Sequence, residues 1–508
     1  MKPFSIKAFA LLAAVALAHN ASADGTNAAP LKLAAIFGDN MVLQQQQAVP
    51  VWGWSEPSSK IVVEFAGQTK STVADKEGRW SVKLSKLRSS FEPQSLVVKS
   101  GFVSPEDHKF VWSSSKTFTN ILVGEVWLCS GQSNMEKPIG NQPGQKPCFN
   151  APKELAAANY PNIRLFKVEK TLSATPLNDL QKFAAWRECN SNSLESTKFS
   201  AAGYFFGREI HTNLNVPIGL VESSWGGTSI EPLTPPVGFE SITSLNKYDV
   251  APTGRIANTT PMAIYNAMIA PIAGFSMRGA LWYQGESNCM GTNDDDYLTY
   301  EDKMKALVGG WRKIWSEGNF PFYFVQIAPF KYYNSKTRRV LSPETLPEFW
   351  TIQSRAARSI KNTGMVVTTD LVNDLNDIHP RDKQSVGHRL ALLARSKTYG
   401  EKNVVAEGPT FKRMKIEGNK AILKFDHADG GLKTPNGAPP TWFTIAGAEG
   451  KFVSANATIV GDTVEVSADA IINPTVVRFA WDESAQPNLY NQAGLPAEPF
   501  QTDKPKPE

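Results

Sequence analysis

Ile121-Leu122-Val123-Gly124-Glu125-Val126-Trp127-Leu128-Cys129 is a mostly apolar run that stops abruptly at Ser130-Gly131-Gln132-Ser133-Asn134-Met135. A run this short and this unbroken fits a strand buried on both faces. Such a strand needs a layer above and a layer below, which parallel sheets obtain from crossover helices. The residues up to about 400 agree. Strand candidates at 218–222, 279–283, 321–327 and 365–369 alternate with helical patterns at 200–214, 297–315, 349–360 and 381–399. The expectation over 121–402 is an α/β domain, a parallel sheet with helices on both faces.

Outward from that block the character changes. Within 24–120, Val49-Pro50-Val51-Trp52-Gly53-Trp54, Ile61-Val62-Val63-Glu64-Phe65 and Trp80-Ser81-Val82-Lys83-Leu84 are short, rich in β-branched and aromatic residues, and separated by turn formers. They predict an N-terminal β-sandwich. Ala421-Ile422-Leu423-Lys424-Phe425 and Thr463-Val464-Glu465-Val466 predict a second, C-terminal β-sandwich over 403–508. The glutamine run 44–47 reads as a surface feature beside a turn.

Residues 1–23 have the order of a secretory signal: Lys2 and Lys7, an apolar stretch at 8–18, then Ala21-Ser22-Ala23 as a cleavage site. The stretch is shorter than the roughly 20 residues that span a bilayer. The chain is therefore expected to be secreted, to a periplasm or outside the cell, with no membrane anchor. Losing Lys2 and Lys7 lowers the formal charge from +5 to +3. With basic and acidic residues interspersed, no nucleic-acid footprint is present.

The four cysteines, Cys129, Cys148, Cys189 and Cys289, include no C-x-x-C pair, and no metal or other cofactor is expected. Export permits disulfides. If one forms, Cys148 and Cys189 are the pair expected from their polar, loop-like surroundings, with Cys129 a buried thiol.

In an open parallel sheet, ligands bind at the carboxyl ends of the strands. Ser133 follows the 121–129 strand, with Gly131 allowing a tight turn before it; a helix cap is the plainer use of such residues. A serine nucleophile needs a base. Among six histidines, His19 leaves with the signal, His108 and His427 lie in the flanking β segments, and His211 and His388 fall inside helical patterns. His379 remains, in Asp374-Leu375-Asn376-Asp377-Ile378-His379-Pro380 after the 365–369 strand. Asp377 is placed to orient its imidazole, with Asp374 as a competitor. Two further loops follow strands: Ser223-Ser224-Trp225-Gly226-Gly227-Thr228, whose glycines bring N–H groups close, and Gln284-Gly285-Glu286-Ser287-Asn288, which offers an amide. Both suit an oxyanion.

Gly131-Gln132-Ser133-Asn134-Met135, Trp225-Gly226-Gly227-Thr228, Trp282-Tyr283-Gln284-Gly285-Glu286-Ser287-Asn288 and Asp377-Ile378-His379-Pro380, in this order, resemble the sialate O-acetylesterase family of the SGNH hydrolases. The resemblance implies a flavodoxin-like sheet flanked by β domains, and an esterase that removes acetyl groups from sugars. It implies Ser133 as nucleophile, His379 as general base and acid, and Asp377 as orienter. The oxyanion donors it implies are the Ser133 N–H, Gly226 and Gln284, and its substrate contacts are Gln132, Asn134, Trp225, Gly227 and Glu286. Trp282 is expected to pack in the core. Three positions depart from the broader pattern: one residue rather than two separates Asp377 from His379, Gln284 stands where an asparagine is usual, and Leu233 where an aromatic residue is expected. An acetyl xylan esterase and a non-catalytic carbohydrate-binding protein are the rival readings.

Overall fold

The computed structural model describes residues 30–248, 252–291, 297–334, 341–428 and 430–503, so the expected signal segment at 1–23 lies outside the described residues. The central sheet contains β1 (Phe110–Gly131), β2 (Asn159–Lys167), β3 (Arg187–Asn190), β4 (Ile218–Ser224), β5 (Gly279–Tyr283), β6 (Phe322–Val325) and β7 (Thr363–Val366). Their order is β3-β2-β4-β1-β5-β6-β7, and all neighbours are parallel except β3 against β2.

Side chains alternate across a strand, and β5 shows what each face meets. Ala280 and Trp282 enter one core with Trp311 and Trp350, while Leu281 and Tyr283 enter another with Phe206 and Leu390. These partners come from helices on opposite sides: α3 (Tyr300–Trp315) and α4 (Thr345–Ser359) on the first, α2 (Ala201–Leu214) and α5 (Lys383–Leu393) on the second. Trp282 is thus core, 5.9 Å from the Trp311 ring.

The edge pair β2 and β3 was not legible as strands, because Asn159-Tyr160-Pro161-Asn162 opens β2 with turn formers. β7 begins earlier than the 365–369 expectation. Its continuation leaves the ladder because Arg389 takes the Val367 carbonyl at 2.7 Å and the Thr368 hydroxyl reaches the Gln326 carbonyl at 2.9 Å.

Cys148 and Cys189 are both buried and unbridged, as are Cys129 and Cys289, which corrects the disulfide expectation. Cys148, Cys189 and Cys129 share one apolar core, where the thiols pack as small hydrophobes. The glutamine run is also corrected. Gln44 is fully buried, its amide between Glu125 and the Val126 N–H.

The flanks differ in how they attach. The first half of β1 pairs with Ser90–Val103, and the half from Glu125 onward pairs with β4 and β5, so one strand passes residue 121 without a break. Facing it are Lys32–Leu33, Val49–Trp54 and Arg79–Leu84, a three-stranded sheet that buries alternate residues. At the other end, two four-stranded sheets close on a separate core that includes Leu423, Val464, Ile445 and Phe479.

Candidate active site

Gly131, Ser224 and Tyr283 are register partners across β4, β1 and β5, so three strands end at one level. Gly131 has φ 138°, and a Cβ there would lie 2.2 Å from the Tyr283 carbonyl oxygen. Only glycine closes this turn. It delivers Ser133 to the start of α1 (Ser133–Glu136), partly exposed, where N–H groups have no carbonyl within their own helix.

Asn134 joins this turn to the histidine segment. Its amide nitrogen donates to the Ile378 carbonyl at 3.0 Å and to Glu286 at 2.5 Å, and its oxygen accepts from Lys383 at 2.7 Å. Ser133 and His379 therefore project from segments that the residue between them holds together. The Ser133 hydroxyl and the His379 imidazole have no hydrogen-bond partner among the described residues, each other included. Catalytic hydrogen bonds in empty sites are often long and tighten with substrate.

Asp377 lies 3.8 Å from His379 Nδ1, beyond hydrogen-bond reach. Its carboxylate accepts the backbone N–H of His379 at 2.9 Å and so fixes the loop before the ring. Asp374 turns away, pairing with Lys146 at 2.9 Å and accepting the Asn376 N–H. Asp377 and Asn376 line an open hollow of about 390 Å³ with Gln145 and Lys146. Burial pushes the His379 imidazole down to about 4; the Lys383 and Lys137 ammonium groups act in the same direction, and Asp377 opposes them. The ring is therefore neutral, the form a base requires.

The two donors expected beside the Ser133 N–H are both engaged. Gly226 sits against Ser133, its Cβ position 3.3 Å from the Ser133 Cβ, but its N–H donates to Glu136 at 2.8 Å. The other Glu136 oxygen pairs with Lys170, whose ammonium lies 5.6 Å from the centre of the Trp225 ring. Gln284 is buried, its amide nitrogen divided among Gln132 at 3.1 Å, the Thr228 carbonyl at 3.2 Å and Asn288 at 2.8 Å. Two amide hydrogens are thus already claimed by three acceptors. Tyr300 donates to the Gln284 oxygen, and Asn288 continues to Glu231, which pairs with buried Lys303.

Of the expected substrate contacts, Trp225 is partly exposed and Gly227 exposed, beside Ser133. Gln132, Asn134 and Glu286 are buried. The Gln132 oxygen receives the N–H groups of Gly285 and Ser287 as well as Gln284. Asn134 and Glu286 hold each other. Leu233 is fully buried in the core, its carbonyl taken by Trp311, and does not line the site. Sequence reasoning missed Glu136, Lys170 and Lys383; the last had one signal, a lysine four positions beyond His379.

Residues 123–395 match the family model for carbohydrate esterases described as sialic acid-specific acetylesterase. Sialate O-acetylesterases of Pongo abelii and Mus musculus are each 30% identical, over 80% and 78% of this chain and 78% and 79% of their own. A crystal structure of a carbohydrate acetylesterase from Xanthomonas citri superposes with a TM-score of 0.80 at 35% identity, covering 93% of this chain and 99% of that one. The four loops, gathered at one end of a parallel sheet around a serine and a neutral histidine, and these relatives lead to one conclusion: the chain belongs to the sialic acid-specific acetylesterase family of carbohydrate esterases.

Proposed function

We propose that this chain is a secreted carbohydrate O-acetylesterase in which Ser133 is the nucleophile and His379 the general base and acid. As a member of its family it is a carboxylic ester hydrolase. The observation that carries the residue assignment is the Asn134 contact with Ile378, which ties the nucleophile turn to the base segment. The sheet supports the SGNH reading: without the edge pair, the strands stand in the order β4-β1-β5-β6-β7, the flavodoxin-like 2-1-3-4-5 order whose switch point lies between β1 and β5. The domain reading is 24–120, 121–402 and 403–508 along the sequence, with 1–23 removed on export; its first boundary falls inside β1, so the first two segments fold as one body. N-terminal sequencing of exported protein should begin at Asp24.

The reaction is acyl transfer in two steps. The Ser133 oxygen bonds to the acetyl carbon as His379 accepts the hydroxyl proton. The ester C–O bond then breaks, and the sugar alcohol leaves with that proton. Water reverses the sequence, breaking the acyl–serine bond and releasing acetate. The Ser133 N–H is available to the oxyanion. The Gly226 N–H becomes available only when the acyl oxygen displaces the Glu136 carboxylate, with Lys170 in place to keep that carboxylate paired. Gln284 acts from beneath, holding Gln132 and the loop after β5. Asp377 orients His379 through the backbone.

Sialic acid O-acetyl esters are the first substrates to test, given the relatives' names. Acetylated plant polysaccharide is the second substrate to test. Acetate release from acetylated sialic acid and from acetylated xylan, with Ser133→Ala and His379→Ala as controls, decides between them. Glycan binding without acetate release, unaffected by Ser133→Ala, would reject the enzyme reading.

A further inference from the structure

Lys383 is fully buried at the first position of α5, with its ammonium 2.7 Å from the Asn134 amide oxygen and 4.7 Å from the centre of the Tyr283 ring. On the opposite end of the same amide stands the Glu286 carboxylate, also buried, 2.5 Å from the nitrogen. Its second oxygen has no partner among the described residues. With the Lys383 ammonium on the oxygen and the Glu286 carboxylate on the nitrogen, the amide's orientation is fixed; burial lowers the Lys383 ammonium to about 7, so its charged form holds below that pH. The remaining amide hydrogen is then directed to the Ile378 carbonyl.

The consequence concerns His379. Ile378 precedes it and Lys383, the first residue of α5, follows it four positions on, and both are bound by Asn134, the residue after Ser133. One side chain thus grips the base-carrying segment on both sides of the base. Buried charges are costly, and the Lys383 ammonium opposes protonation of the His379 imidazole.

We propose that Lys383 and Glu286 form a positioning clamp on Asn134 that sets the reach of His379 toward Ser133. The proposal rests on the reading of His379 as the base. The charged groups that face this imidazole are Lys383 from α5, Lys137 from the end of α1, and Asp377 from its own loop. Around Lys383 itself stand Glu286, Asp382, Lys137 and Cys148.

The test is acetate release from p-nitrophenyl acetate between pH 3.5 and 8, for wild type, Lys383→Gln and Lys383→Met. Lys383→Gln keeps a donor and removes the charge; it should keep kcat within a few-fold and move the acid limb of kcat/KM upward by half a pH unit or more. Lys383→Met removes both, and should move the limb equally while lowering kcat at least tenfold with KM little changed. A folded Lys383→Met enzyme with wild-type kcat and acid limb overturns the clamp. If that variant does not fold, Asn134→Ala replaces it. It must lower kcat at least tenfold, and wild-type kcat there overturns the clamp equally. Ser133→Ala and His379→Ala run alongside separate the two readings. Activity surviving in either rejects the nucleophile–base pair, whereas loss in both with unaltered Lys383 variants rejects the clamp alone.

Discussion

The two sides of the site are built differently. On the side of the loop after β5, Gln284, Asn288, Glu231 and Lys303 form a buried network in which each side chain holds the next. On the other side, the Ser133 hydroxyl and the His379 imidazole stand without partners among the described residues. A group whose hydrogen bonds are all made has little left to offer a substrate. The satisfied side fixes shape, and the unsatisfied side is left with reactive capacity.

Four measurements sharpen or break this contrast. The largest effect belongs to Ser133→Ala, which removes the proposed nucleophile and should reduce acetate release to near background, a fall of about 10³-fold or more. Gln284→Ala comes next. It removes the amide that bonds Gln132, the Thr228 carbonyl and Asn288, and leaves the Tyr300 hydroxyl only the backbone carbonyl of residue 284, so melting should reveal a loss of about 1–3 kcal/mol, together with a roughly tenfold fall in turnover. If turnover falls by 10²–10³ with melting unchanged, Gln284 touches the acyl oxygen directly and the contrast fails.

The third is the pH profile. Because burial and two ammonium groups hold His379 at about 4, kcat/KM should stay level as pH falls through the ~6.5 of free imidazole and decline only near that lower value. A limb centred at 6.5 or above would mean that the base is more exposed than the structure has it. The smallest effects separate the two aspartates. Asp377→Asn retains an acceptor for the His379 N–H and should cost no more than about tenfold in kcat. Asp374→Ala removes an exposed pair with Lys146 and the acceptor of the Asn376 N–H, neither of which reaches His379, and should leave kcat unchanged. A reversed order would reinstate Asp374 as the orienter.

Much of the frame was legible because it depends on local chemistry. The apolar run at 121–129 announced a doubly covered strand, and polar residues after several strands marked the end where ligands bind. His211 and His388 could be set aside by their helical context; in the structure one bonds the Val216 carbonyl and the other pairs with Glu209 at the surface. What sequence could not supply is which polar residues meet one another. Asn134 and Glu286 were expected as sugar contacts from the family resemblance, yet they are 152 positions apart and bond each other inside the molecule. Cys148 and Cys189 looked like surface partners because their sequence neighbours are polar, while the fold turns both thiols into the same core. Gly226 was legible as a close neighbour of Ser133, but the carboxylate that occupies its N–H comes from another element.

The long strand β1 has a mechanical consequence. Its outer half belongs to the ladder with Ser90–Val103 and its inner half ends at the turn before Ser133. A truncation near residue 120 would not detach a separate module; it would sever one continuous backbone and expose the row of amides and carbonyls that the lost ladder had occupied. The N-terminal layer and the catalytic turn should therefore melt in a single cooperative step, whereas the C-terminal layer, closed on its own core, has the means to melt separately.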